Sequence, residues 1–113
     1  MTQATSPFFA PEAFWCIETT MRSAMSRATA PRVITPYHVH VPSFGEWGFV
    51  MATNHPVSPA DLVPDVPVRF LDEAAATGML AFPADLGRRD VEVNRLEDAA
   101  LARYYERGWR SFR

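Results

Sequence analysis

The chain has 113 residues, enough for at most one small domain, and 48% of them are apolar, which excludes wholesale disorder. Its formal charge of −2 offers no basic surface for nucleic acid, and no apolar run approaches the roughly 18–20 residues of a membrane span. The N-terminus shows no signal-peptide pattern. The single cysteine, Cys16, cannot form an internal disulfide and is most simply a small core residue. These features predict a cytoplasmic protein.

The first elements predicted along the chain are the tail of a strand over residues 3–6 and a helix over about residues 12–26. Pro11 suits the first turn of that helix, where its missing N–H costs nothing. Glu18 and Arg22 are expected to pair on the outer face of the helix, which adds only a few tenths of a kcal/mol. The apolar residues recur at three- and four-residue spacing, which indicates an amphipathic helix: Phe14, Ile17, Met21 and Ala24.

A β-hairpin is predicted in the middle of the chain. Residues 33–41 are rich in β-branched and aromatic side chains, and Pro36 among them indicates an edge position or a bulge. Residues 42–45 are predicted to form a turn, and residues 48–53 a short strand buried on both faces. The tight connection makes the two strands antiparallel.

A Pro-rich loop and two further helices are predicted in the second half. Residues 54–67 form the loop, which is expected to contain one helical turn. One helix is predicted over residues 70–80 and another over residues 94–109, where Asn94 is a suitable N-cap and Glu97 completes a capping box. The apolar face of the last helix is predicted to comprise Leu96, Ala100, Leu101, Tyr104 and Tyr105.

Two groups of residues in the hairpin are candidates for chemistry. His38 and His40 are two apart in a predicted strand, so both would point to one face and could bind a metal. No third ligand of suitable spacing accompanies them, so a partly exposed strand face is the simpler interpretation. Glu46 and Trp47 fall in a predicted glycine-flanked turn, where they could bind an alkyl amine through charge and cation–π attraction. The alternative is a tight hairpin whose tryptophan covers the core.

The hairpin sequence PYHVHVPSFGEWGFVMA resembles a segment of the polyamine aminopropyltransferases, the spermidine synthase family, and in particular the bacterial branch often described as membrane-associated. TSPFFAPEAFWCIETTMRSA resembles the helix before that hairpin, and VEVNRLEDAALARYYERGWR resembles the C-terminal tail of the same branch. The resemblance implies that residues 1–113 are a single partial domain. It would be the C-terminal part of a Rossmann-like, methyltransferase-type α/β fold, with a helix, an antiparallel hairpin and C-terminal helices but without the N-terminal strands.

The resemblance also implies an activity. The family transfers an aminopropyl group from decarboxylated S-adenosylmethionine to a diamine such as putrescine, giving spermidine, and requires no metal or organic cofactor. Its glycine-rich donor loop and catalytic Asp would precede Met1, so no catalytic residue is assigned in this chain. Gln3 matches a family glutamine close to the acceptor amine. Phe44, Glu46 and Trp47 fall where the family lines the amine pocket, although the tyrosine of the family's turn has no counterpart here.

Three functional hypotheses stay open at this point. The chain could be the C-terminal segment of an aminopropyltransferase, inactive alone because the base and the donor site are missing. It could be one half of a split enzyme completed by a partner chain, in which case exposed strand edges would favour the pairing. It could also be a binding protein that kept the fold and lost the chemistry. Members of the family commonly self-associate, so a homo-oligomer is a further option.

Overall fold

The computed structural model describes residues 1–27, 29, 32–43, 45–95 and 97–111. Within these residues the chain forms a small α/β domain with a three-stranded antiparallel sheet and three α-helices. The elements are β1 (Thr2–Gln3), α1 (Pro11–Ser26), β2 (Val33–Val41), β3 (Gly45–Thr53), α2 (Glu73–Leu80) and α3 (Ala100–Arg110), with short 3-10 helices at Pro59–Leu62 and Ala84–Leu86. The predicted first helix, the first hairpin strand and the helical turn in the Pro-rich loop are therefore confirmed.

The sheet has the order β1–β3–β2, so β1 and β2 are the edges among the described strands. β2 and β3 pair as the predicted hairpin, from Val33 opposite Thr53 to Val41 opposite Gly45. Pro36, which has no N–H to donate to the ladder, lies on the edge strand as predicted. Gly45 has a φ of 80°, a left-handed conformation that glycine adopts without steric cost where the chain enters β3.

β3 is longer than predicted, and its burial alternates. It begins at Gly45, so Glu46 and Trp47 are strand residues and the prediction of a glycine-flanked turn at these positions was wrong. Val50 is fully buried, whereas Phe49 is only half-buried. The prediction of a strand buried on both faces was also wrong, because α1 covers only one face of this antiparallel sheet and leaves the other partly open.

α1 lies between the sheet and α3 and contributes to two packed clusters. The cluster toward the sheet comprises Ala4, Phe14, Trp15, Ile34 and Val50. The cluster toward α3 comprises Ala10, Ala13, Cys16, Ala100 and Tyr104. Small residues let the backbone approach closely there, since a Cβ at Gly108 would lie 2.7 Å from the Cα of Ala10. Burial raises the pKa of the Cys16 thiol, which suits the predicted role as a small core residue.

Glu18 is fully buried, so the prediction that it lies on the outer face of α1 was wrong. Its carboxylate accepts hydrogen bonds from Arg22, with a Nε–Oε1 distance of 2.8 Å, and from Arg88, with a Nη1–Oε2 distance of 2.6 Å. The Arg88 guanidinium also lies over the Trp15 ring, 4.7 Å from its centroid. Burial alone would raise the pKa of Glu18, but the hydrogen bonds from Arg88 and Arg22 outweigh it and lower the pKa. Glu18 and Trp15 of α1 thus both bind Arg88, which connects α1 to the segment before α3.

Residues 86–94 run along α1, and after the 3-10 helix that ends at Leu86 they have no helical structure, which delays the start of α3. Three hydrogen bonds fix them: Trp15 Nε1 to Leu86 O at 3.2 Å, Cys16 Sγ to Glu92 O at 3.3 Å and Asn94 N to Thr20 Oγ1 at 2.9 Å. α3 begins only at Ala100, so the predicted N-cap at Asn94 and capping box with Glu97 were wrong. Asn94 still supports the helix from outside, because its Oδ1 accepts the N–H of Leu101 at 3.1 Å. Leu96 lies outside the described residues.

α2 is shorter than the helix predicted over residues 70–80. It begins at Glu73 because Asp72 is its N-cap and accepts the Ala75 N–H at 2.8 Å. In the part of the chain that the structure describes, no helix combines the length and the apolar character needed to cross a bilayer.

Candidate functional site

The end of β1 is held against β3 at Gly48. The Ala4 N–H donates to Gly48 O at 2.9 Å, and the Gly48 N–H donates to Thr5 O at 2.7 Å. Two residues of one strand thus face one residue of the other, as in a β-bulge. Thr5 has a φ of 54°, which is rare for a β-branched residue, so the strand predicted over residues 3–6 ends at Gln3. These two hydrogen bonds to Gly48 fix where Gln3 lies on the sheet.

Gln3 and Trp47 line one cavity of about 320 Å³ together with Val41 and Phe49. Gln3 pairs with Phe49 across β1 and β3, and Trp47 lies two residues before Phe49, so the three share one face of the sheet. Tyr37 stacks on Phe49 from β2, with ring centroids 5.2 Å apart. The lining residues that the structure describes provide three apolar walls and one carboxamide. Such a cavity suits an alkyl chain that has a hydrogen-bonding group near Gln3.

Glu46 points to the opposite face of β3 and is not among the residues that line this cavity. Its carboxylate contacts His38 at 2.7 Å and His40 at 3.3 Å, in each case at Nδ1. The Nε2 of His38 lies 2.6 Å from Ala81 O, which joins the hairpin to the residue after α2. Glu46 and Trp47 do not lie together in a turn as expected, because they are adjacent strand residues that point to opposite faces. Their binding of an amine stays a prediction.

His38 and His40 share a face of β2, as their spacing predicts. Their side chains are 12% and 66% exposed, so the face is partly open. Among the residues whose positions are described, no group of three or more His, Cys, Asp or Glu is arranged to hold a metal ion. Phe44, the remaining candidate from the sequence, lies outside the described residues.

Sequence reasoning did not single out Val41, Phe49 or Thr5. The two-residue period of a strand leads from Trp47 to Phe49, but only once Trp47 is assigned to β3 instead of a turn. Val41 is the last residue of β2, and the pairing of β2 with β3 places it beside the cavity. The left-handed conformation of Thr5 has no sequence signal, since a β-branched residue is disfavoured there.

Fold and cavity together define a small α/β domain with a cavity on one face of its sheet, and the described residues that line this cavity are uncharged. Over 95% of its length the chain is 44% identical to Polyamine aminopropyltransferase 2 of Ralstonia nicotianae, of which it covers 20%. It is likewise 44% identical, over 95% of its length, to the Polyamine aminopropyltransferase of Leptospira interrogans, again covering 20% of that protein. The enzyme of that name from Mycobacterium tuberculosis is 36% identical over 96% of the chain, which covers 20% of it.

These matches confirm the resemblance carried by the hairpin and its flanking helices. The chain is a homologue of the polyamine aminopropyltransferases and corresponds to a C-terminal part of them. It spans about a fifth of the length of the curated relatives that it matches. No family profile matches the chain, and no solved structure matches it.

Proposed function

We propose that the chain is the C-terminal segment of a polyamine aminopropyltransferase and forms part of the wall of its amine pocket. In that reaction an aminopropyl group passes from decarboxylated S-adenosylmethionine to a diamine such as putrescine, giving spermidine. The observation that carries the proposal is the cavity shared by Gln3 and Trp47. The family resemblance assigns these two residues to the amine pocket, and they are far apart in sequence.

The lining residues fit a diamine in complementary ways. The Gln3 carboxamide oxygen can accept a hydrogen bond from an amine nitrogen, and the Trp47 indole can attract an ammonium group through cation–π interaction. Val41 and Phe49 offer apolar contact to the methylene chain. Attack on the carbon beside sulfur requires a neutral nitrogen, and none of these four residues is a base. In the proposed function the base belongs to the part of the enzyme that this chain does not span, and we therefore expect the chain alone to be inactive.

The other assignments follow from the same proposal. Residues 1–113 form one partial domain of a Rossmann-like, methyltransferase-type sheet that functions in the cytoplasm, and β1 is the end of a strand of that sheet. Glu46 acts on the pocket indirectly, by holding His38 and thereby the hairpin. Phe44 keeps its assignment to the pocket from the sequence alone.

Replacing Trp47 with alanine is expected to raise the KM for putrescine about tenfold, with little change in the KM for the donor, because the indole is lost only from the amine wall. Spermidine formation would be measured in a hybrid enzyme in which this chain replaces the matching C-terminal fifth of the Leptospira interrogans relative.

Met51→Ala is the matched control, since Met51 lies on the same face of β3 but does not line the cavity. It should leave both KM values unchanged. An unchanged amine KM in Trp47→Ala, or equal effects of the two variants, would refute the proposed role of Trp47. A well-folded hybrid without any transfer would favour the binding-protein hypothesis.

A further inference from the structure

Val41 and Trp47, two of the residues that line the cavity, lie in a part of the hairpin that extends past the three-stranded sheet. Among the described residues, the pairing of β3 with β1 and the residues after it ends at Gly48. From there to the turn, β3 is paired in the sheet with β2 alone. Residues 39–41 and 45–47 are called the hairpin tip below. A two-stranded ribbon is marginally stable at best by itself, so the position of the tip depends on contacts outside the ribbon.

His38 links the hairpin tip to the segment after α2, on the sheet face opposite the cavity. Its Nδ1 lies 2.7 Å from Glu46 Oε2, and its Nε2 lies 2.6 Å from Ala81 O. These three residues are called the His38 bridge below. Ala81 is fixed in turn, because its N–H donates to the last turn of α2. The next residue, Phe82, packs against Trp15 of α1, with ring centroids 5.0 Å apart. The bridge therefore connects the tip to the packed core of the domain.

Both ring nitrogens of His38 face oxygen atoms that can only accept a hydrogen bond. The Ala81 carbonyl has no proton to donate, and neither has an ionised Glu46 carboxylate. A neutral imidazole has one N–H and would leave a lone pair against an oxygen at one of the two contacts. Two N–H groups on the ring satisfy both contacts at once and place a positive charge beside the carboxylate. His40 contacts the other oxygen of Glu46 at 3.3 Å, but its side chain is 66% exposed.

We propose that His38 is a positioning residue for the amine pocket, and that it donates from both ring nitrogens to fix the hairpin tip between Glu46 and Ala81 O. Fixed in this way, the tip keeps Trp47 beside the cavity that it shares with Gln3. The inference rests on the proposed function and extends it. It makes amine binding depend on the segment after α2, which does not line the cavity among the described residues.

The first test is kinetic and uses the hybrid enzyme. His38→Phe keeps a ring against Phe82, which lies 4.7 Å from the imidazole between centroids, but removes both donors. It should raise the KM for putrescine about fivefold, leave kcat within about twofold and leave the KM for the donor unchanged. A purely structural loss would instead lower the amount of active enzyme and leave both KM values as they are. His55→Phe, the same substitution at an exposed position after β3, is the matched control and should change none of these constants.

The second test is spectroscopic and uses the chain itself. Proton–nitrogen NMR of the imidazole rings should show two N–H groups on His38 in the folded wild-type chain. The indole N–H signal of Trp47 should be sharp in the wild type and in His55→Phe. It should broaden in His38→Phe, because the hairpin tip then samples more than one position. Neither signal requires putrescine or the donor, and the first requires no variant.

An unchanged KM for putrescine in His38→Phe, or a single N–H group on the His38 ring, would overturn the proposal. If His38→Phe does not fold, the N–H groups of the wild-type His38 ring still decide. An unchanged KM in His38→Phe beside a raised KM in Trp47→Ala would refute the His38 bridge and leave the proposed function intact. A folded hybrid without transfer, together with a Trp47 signal that broadens in His38→Phe, would support the bridge and refute the proposed function.

Discussion

Replacing Glu18 with alanine is expected to lower the free energy of unfolding by about 3 kcal/mol at neutral pH. The carboxylate is fully buried and accepts hydrogen bonds from Arg22 and Arg88. Loss of the carboxylate leaves two guanidinium groups without their counter-charge. It also removes the ion pair with Arg88 that links α1 to the segment before α3. Both arginine side chains are about half exposed and can turn to water, which keeps the cost at the lower end of the range for a broken buried pair. Denaturant unfolding at fixed temperature measures the change.

Glu106→Ala is the control, because it removes an exposed i,i+4 pair with Arg110 on α3 and should leave the unfolding free energy unchanged within error. Equal stability of the Glu18→Ala and Glu106→Ala variants would contradict the buried cluster.

The same cluster makes stability depend on pH. Burial opposes ionisation of Glu18, but Arg88 and Arg22 lower its folded pKa below the ordinary value of 4.5. The stabilisation is therefore present above that ordinary value and is lost as the pH falls through the folded pKa. The difference in unfolding free energy between wild type and Glu18→Gln should shrink as the pH falls from neutral to below the folded pKa. A difference that stays constant would show that Glu18 is not held in its charged form.

Gly48→Ala is expected to lower the unfolding free energy by about 2–3 kcal/mol. The added Cβ would lie 2.3 Å from the Phe14 ring and 2.9 Å from Thr5 O. Phe14 is fully buried and the Thr5 carbonyl is bonded to Gly48, so neither can move away without cost. The strain falls on the hydrogen-bonded contact between the end of β1 and Gly48 of β3, which positions Gln3. Denaturant unfolding and a thermal melt would both register the loss.

Gly78→Ala is the matched control for this substitution. A Cβ at Gly78, in α2, would meet nothing within 4 Å, so this variant should be at least as stable as wild type because alanine is the better helix residue. If Gly48→Ala unfolded at the same denaturant concentration as Gly78→Ala, the close packing of α1 on β3 would be refuted.

Local patterns in the sequence predicted most elements of the fold. The spacing of Phe14, Ile17 and Met21 indicated α1, and Pro36 indicated the edge strand β2, because both features depend on neighbouring residues only. The errors arose from contacts between distant segments. The buried Glu18 is bonded to Arg88, 70 residues along the chain, and Asn94 N is bonded to Thr20 across 74 residues instead of starting a helix.

In the candidate site, too, local sequence patterns indicated some features, whereas others depend on contacts between distant segments. Gln3 came from the family resemblance, whereas Trp47 was a candidate both from the hairpin sequence and from the resemblance. Their common cavity depends on the pairing of β1 with β3, which no local pattern specifies. Two glycines around Glu46 and Trp47 suggested a turn. In the structure Gly45 enters the strand with a positive φ, and Gly48 is a contact point for Phe14 inside it. The glycines were informative, but the physical need for each could be identified only from the packing.

The most direct test of the central claim is aminopropyl transfer to putrescine by the isolated chain, measured beside the hybrid enzyme based on the Leptospira interrogans relative. We expect no transfer by the isolated chain, because the described residues that line its cavity include no base and the proposed donor site belongs to the part of the enzyme that this chain does not span. We expect transfer by the hybrid, with a KM for putrescine that rises about fivefold in Gln3→Ala through the loss of one hydrogen bond. Robust turnover by the isolated chain, or a folded hybrid that transfers nothing, would contradict the assignment of this chain to the amine pocket.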